Sequence, residues 1–303
     1  MNKWQITHIG FSDESNWSKG RFRSIGLVTC NLCDLINFEN EFQQLLKDSK
    51  ISELQWKKLN NADRRNAAKK VCEFVLEKTR RRSMRIDVLI WDIEDSRHKI
   101  VGRDDIANLQ RMYYHLFGHV MKARWPKDAV WCFRPDKHTN IDWMTIQACL
   151  GNIAVSIDRA PVSNGGFCLQ LRREFRIEEI NAIASSDHPP LLQIADLFAG
   201  MAVFSRYKFN EYLEWELTSK GQSRLSQFLS IDDNIADQCA AKLSNRDHER
   251  FCVLQYLDSL CKKAKLGVSL KKGEGLWTPN PGNPINFWPY TPQHPNDKAP
   301  LRI

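Results

Sequence analysis

The sequence predicts an α/β protein whose mixed sheet is covered by helices. Three observations carry that expectation. Short β-branched and aromatic runs alternate with longer segments of helical spacing. The first two runs are separated only by a polar stretch, which suits a strand, a turn and a returning strand. The later runs are separated by helices, which suits parallel strands.

Taken in order, Gln5 to Phe11 (QITHIGF) and Ser24 to Cys30 (SIGLVTC) read as the hairpin, joined through Ser15, Asn16 and Gly20. Leu35, Phe38, Phe42, Leu45 and Leu46 recur at helical spacing within Asp34 to Lys47, and Ala67, Val71, Phe74 and Val75 do so within Ala62 to Lys78. Glu53 lies between these two helices. Arg85 to Trp91 (RIDVLIW) is apolar enough for a strand buried on both faces, with Asp92 at its end. A long amphipathic helix follows from about Asp105 to Arg124. Ala129 to Phe133 (AVWCF) is the next strand and delivers Arg134, Pro135 and Asp136. Phe167 to Ile180 holds alternating residues, and Leu191 to Tyr207 is the most apolar helix in the chain.

Residues 210 to 265 read as helical and mixed in charge. From Lys271 the composition changes, with seven prolines interleaved with Trp277, Phe287, Trp288 and Tyr290. Such a tail is expected to form neither regular helix nor sheet, and to lie extended against the body or free as a protein-recognition segment. The expected organisation is an α/β domain over 1–207, a helical extension over 208–270 and the tail over 271–303.

The chain has 303 residues, 42% hydrophobic and 26% charged, with a formal charge of +8. No apolar run approaches a membrane span, so a soluble cytoplasmic protein is expected, with no membrane partner. Nine scattered cysteines suit a reducing compartment. Cys30 and Cys33 have no second pair to complete a zinc site. The basic runs 78–82, 172–173 and 262–265 offer phosphate contacts to nucleic acid, or are simply solvated helix ends. No P-loop, dinucleotide fingerprint or G-x-S-x-G elbow is present, which removes the nucleotide-fuelled and serine-hydrolase classes.

Asp196 is the most informative residue. It stands in LLQIADLFAGMAVF, near the start of a helix otherwise apolar almost all the way round. A charged carboxylate there needs a metal, a basic partner or a route to water. A structural reading, placement at the positive end of a helix opened by Ser185, Asp187 and Pro189-Pro190, remains open beside it. Asp13, Asp92 and Asp136 end strands, where open α/β sheets collect their functional groups. Several carboxylates in one small volume suit two-metal phosphodiester cleavage, and hard oxygen donors select Mg2+ or Mn2+.

The Asp13-Glu14-Ser15 tripeptide, Glu53-x-x-Trp56-Lys57, the long helix bearing Tyr113-Tyr114 and above all LQIADLFAG (192–200) resemble the bacterial domain-of-unknown-function family DUF3800, across roughly residues 1–207. The resemblance implies an RNase H-like fold. It implies Asp13, Glu53 and Asp196 as acids of the site, with Asp136 or Asp92 completing it. The function implied is metal-dependent cleavage of RNA, DNA or a hybrid, in a phage-defence or mobile-element setting. The alternative is an RNase H-like scaffold that has lost catalysis. This chain has Asn16 where the family has Gly, and Gln55 where it has Lys.

Further residues carry two readings each. The polar run with Asp95, Arg97 and His98 suits a substrate-facing loop or a solvated one. His138 suits a proton shuttle or a surface histidine, and Tyr113 and Tyr114 suit core packing or base stacking.

Overall fold

The computed structural model describes residues 4–95, 98, 103–138, 140–161, 167–184, 189–219 and 243–291. Its main sheet has six strands. β1 (His8–Ser15) and β2 (Phe22–Asn31) form the hairpin, with Asp13 opposite Gly26 and Glu14 opposite Ile25. β3 (Met84–Asp92) pairs antiparallel with β2, and β4 (Val130–Pro135) pairs parallel with β1. A second hairpin, β5 (Val155–Pro161) with β6 (Phe167–Arg173), stands apart as a two-stranded sheet. β7 (Arg176–Ile180) adds parallel to β4, and β8 (Ile285–Pro289) adds parallel to β3. The order is therefore β7-β4-β1-β2-β3-β8, with β2 running against the rest. The five strands from β3 to β7 have the order and directions of an RNase H-like sheet, as expected.

The helices cover both faces. α1 (Leu35–Asp48), α2 (Ala62–Arg80), α5 (Pro190–Tyr207) and α7 (Asn245–Lys263) share one core, which takes in Ile9, Phe11, Val28 and Ile86. α3 (Asp105–Arg124) and α4 (Trp143–Ile153) build the other core on Ile25, Leu27, Leu89 and Phe133. Consecutive strand residues point to opposite faces, so the odd positions Ile9 and Phe11 of β1 serve the first core. α6 (Phe209–Ser219) follows α5 directly. Residues 220–242 of the expected helical stretch lie outside the described residues, as do Arg97, Ser185, Asp187 and the prolines from 292 onward.

One close approach fixes the position of α5. A Cβ on Gly26 of β2 would run into the carbonyl of Ala195, so the absence of a side chain lets the helix backbone settle on the strand. Ser24 ties the same contact by donating to the Ala199 carbonyl at 2.9 Å.

The expectation that nothing regular forms beyond Lys271 is corrected by β8. Composition averaged over the tail hid a short segment with no interior proline. Pro284 precedes it, Pro289 ends it, and the strand occupies a sheet edge, where proline is tolerated. Phe287 is fully buried against Phe198, and burying such a ring stabilises by about 1.5–3 kcal/mol. The tail aromatics are used internally: Trp288 lies on His119, and Tyr290 on His115.

Among the described residues no helix is long and apolar enough to cross a membrane. Several members of the basic runs are engaged in ion pairs: Lys78 is buried and meets Glu41 at 2.6 Å, and Lys262 meets Asp258 at 2.5 Å. Cys30 and Cys33 are both free thiols, one buried and one exposed.

Candidate metal centre

The carboxyl ends of β1 and β4 deliver three acids to one place. Asp13 pairs with Gly26 and so points to the α5 face. Glu14, the next residue, pairs with Ile25 on the α3 face. Asp136 follows β4, and its N–H donates to the Ser12 carbonyl at 2.8 Å, which locks the two strand ends together. One oxygen from each of Asp13, Glu14 and Asp136 lies within 4.8 Å of the others.

Asp196 approaches from α5. Between Pro190 and Ser205 every described side chain is buried except this one. It stands nearly two turns into the helix, beyond the first turn where the helix dipole acts, so the dipole does not account for it. Its Oδ2 accepts the Trp56 N–H at 2.6 Å. Trp56 can come so close because Gly200, one turn further along α5, has no Cβ to collide with the indole.

Electrostatics set this group apart. Burial pushes the Asp13 carboxyl well above its usual range, and Asp196, Glu14 and Asp136 push it further. The Glu14 N–H, 2.7 Å from Oδ1, pulls weakly the other way. Burial raises Glu14 from 4.5 to about 7, with the nearby Tyr113 phenol holding it down and Asp136 adding to the rise. Glu14 Oε1 and Asp136 Oδ1 are buried atoms without a hydrogen-bond partner among the described residues. Clustered acids that raise one another, with oxygen atoms left over, suit a hard divalent cation such as Mg2+ or Mn2+. The donor set therefore fits the group that the sequence implied.

The four acids line a cavity of about 650 Å3. Its other lining includes Gln55, Trp56, Lys57, Lys208 and Arg250. Arg250 comes from α7, with Nη2 donating to the Trp56 carbonyl at 2.9 Å and the guanidinium 5.0 Å from the Trp56 ring centroid.

Three of the five acids named from the sequence thus meet: Asp13, Asp136 and Asp196. Glu53 and Asp92 do not line the cavity. Glu53 accepts from Gln55 at 2.9 Å and is paired with Lys58. Asp92 is held by a two-pronged bond from Arg21, with the guanidinium Nη2 at 2.8 Å, and that partner keeps its carboxyl low even though burial works against it. Glu14 is the member that sequence reasoning passed over. Its signal was adjacency to Asp13 at a strand end, where two successive side chains can both reach the rim of a neighbouring strand.

The remaining residues find their places. Asn16, where the DUF3800 pattern has Gly, adopts φ 58°, the left-handed turn that Asn tolerates. Tyr113 is a core residue whose phenol faces Glu14. His138 is partly buried and packs edge-on against Trp17 at 4.5 Å. His98 is buried near the Tyr290 ring.

Fold and site together define an RNase H-like α/β protein with clustered carboxylates at one end of its sheet. Within that class, the chain belongs to the family of the ORF2 and ORF2′ proteins of the archaeon Methanothermobacter thermautotrophicus. It is 42% identical to ORF2 over 302 residues, covering 97% of this chain and 98% of the relative. It is 41% identical to ORF2′ over 303 residues, with the same coverage. Both relatives are described as uncharacterized, and both are archaeal, whereas the DUF3800 resemblance implied a bacterial setting. No family model matches the chain. A chain in the structure of the PCNA:RNase HII complex from Archaeoglobus fulgidus superposes with a TM-score of 0.38 at 15% identity, over 73% of this chain and 95% of that one. That superposition is loose, and the chemistry of the site rests on its own geometry.

Proposed function

We propose that the protein is a divalent-metal-dependent nuclease that hydrolyses phosphodiesters of RNA, DNA or a hybrid, with Asp13, Glu14, Asp136 and Asp196 as the metal-holding acids. The observation that carries the reading is the meeting of three half-buried carboxylates within 4.8 Å, with Asp196 acting on Asp13 from the facing helix. Held by these acids, Mg2+ or Mn2+ would supply the chemistry of an activated water and a stabilised leaving oxygen. The chain does the rest. The Trp56 N–H fixes the orientation of Asp196, the Glu14 N–H fixes that of Asp13, and the Tyr113 phenol sits against Glu14. Glu53 and Asp92, held by Lys58 and Arg21, take no part in this reading.

The test is a cleavage screen over single- and double-stranded RNA, DNA and hybrid, with Mg2+, with Mn2+ and with chelator. Cleavage that needs metal and is lost in Asp13→Asn is the expected result. A wild type that neither cleaves any of these nor binds Mn2+ ends the reading.

A further inference from the structure

Besides the four acids, the cavity lining carries three cations, Lys57, Lys208 and Arg250, with Asp247 among them. A group of carboxylates repels a phosphate, so an anionic substrate needs compensation from the protein as well as from metal. Arg250 is the most enclosed of these cations. Its guanidinium lies 5.0 Å from the Trp56 ring centroid and 5.3 Å from that of Phe204, packed against both rings. Nη2 donates to the Trp56 carbonyl, while Nε is buried without a hydrogen-bond partner among the described residues. Burial lowers Arg250 to about 10, Arg246 pushes the same way, and Asp247 and Asp196 compensate in part. A guanidinium in such a place is costly until an anion arrives.

Two neighbours sharpen the assignment. Lys57 is exposed and lines the same cavity. Lys208 lines it too, but is already engaged with Glu211 at 3.0 Å and Asp247 at 4.0 Å. Trp56 joins acid to cation through its own backbone, its N–H serving Asp196 and its C=O serving Arg250. Acid and cation are therefore set at a fixed separation by one residue.

We propose that Arg250, with Lys57, forms the phosphate-binding wall of the site, so that α7 completes a centre whose acids all come from the first two hundred residues. The ligand is a phosphate group, carried either by a nucleic-acid strand or by a free nucleotide. This assignment rests on reading the acids as a phosphodiester-cleaving centre.

The experiment measures binding of a short fluorescein-labelled oligonucleotide in Ca2+, competition by AMP, and Mn2+ affinity by calorimetry, on wild type and Arg250→Met. The Met variant keeps the packing on Trp56 and is expected to weaken oligonucleotide binding about 10- to 100-fold, with Mn2+ affinity unchanged. Arg250→Lys with Lys57→Gln is expected to show the same direction if Arg250→Met does not fold. Competition by AMP at the same concentrations as unlabelled oligonucleotide identifies a free-nucleotide site, and its absence identifies a strand; both support the wall. Wild-type oligonucleotide affinity in a folded variant that still binds Mn2+ overturns the assignment and leaves the nuclease reading standing. Loss of phosphate binding on substitution, in a protein that binds no Mn2+ at all, keeps the wall and overturns the nuclease reading.

Discussion

Asp87 and Asp13 stand on strands two apart in the same sheet, one buried and one half-buried at the cavity, and their surroundings differ completely. Asp87 is fully buried in mid-strand. It accepts from Asn286 at 3.0 Å and from Arg85 at 3.4 Å, and Arg124 lies at 3.5 Å. Asp13 has one backbone N–H and the company of three further carboxylates. Burial alone therefore does not mark a site. A buried acid ringed by cations holds β3, α3 and β8 together, and a half-buried acid ringed by acids is under-compensated and ready for a cation from outside.

The largest effect expected from breaking this contrast is at the compensated acid. Asp87→Ala strands Arg124 and removes one partner of Arg85, which keeps the carbonyls of Pro281, Gly282 and Asn283, and should cost about 3–5 kcal/mol. Denaturant unfolding measures it, and a loss under 1 kcal/mol would show that the two cations do not depend on Asp87.

The under-compensated acids should show a pH dependence of the opposite origin. Glu14 is raised from 4.5 to about 7, so the folded state holds its proton more tightly than the unfolded chain. That stability is fully present below pH 4.5 and is lost as pH rises through 7, up to about 3 kcal/mol at 1.36 kcal/mol per pKa unit. The raised Asp13 adds in the same direction. Melts in chelator from pH 4.5 to 8 should fall with pH, less steeply in Glu14→Gln. An identical slope in both proteins would remove Glu14 from the cluster. Mn2+ should tighten over the same range, because the acids shed protons to bind it.

A smaller change is expected from Asp196→Asn. Neutralising one of several repelling carboxylates should hold or raise the chelator melting temperature, by up to about 1 kcal/mol in stability, while abolishing the rise that Mn2+ gives the wild type. A large drop in chelator would mean that Asp196 serves a structural cation instead. Smallest of all is Glu53→Gln, which removes a part-exposed pair with Lys58 worth about 0–1 kcal/mol and should leave Mn2+ affinity unchanged. Loss of Mn2+ binding there would bring Glu53 back into the site.

Elements whose signal is local were legible in the chain. α3 runs from Asp105 to Arg124 as its periodicity predicts, because Asp104 caps it by accepting the Ala107 N–H and apolar residues line one face. β3 is buried along its length, as RIDVLIW requires. β8 was hidden, because five residues among prolines become a strand only when β3 offers its edge. α4 and β5 went unread for the same kind of reason: α4 buries only Ile146 and Leu150, too sparse a stripe to mark a helix.

The same division runs through the site. The sequence by itself marked Asp196 as needing a metal, a basic partner or a route to water, since an apolar helix gives a carboxylate nowhere to dissolve, and marked Asp13, Asp92 and Asp136 alike as strand-end acids. Only the tertiary structure decided which acids share a space. Glu53 and Asp92 found Lys58 and Arg21, while Glu14 turned toward Asp136, and α7 brought Arg250 from far along the chain. Charge compensation is a property of distance in three dimensions, and residues remote in sequence set it.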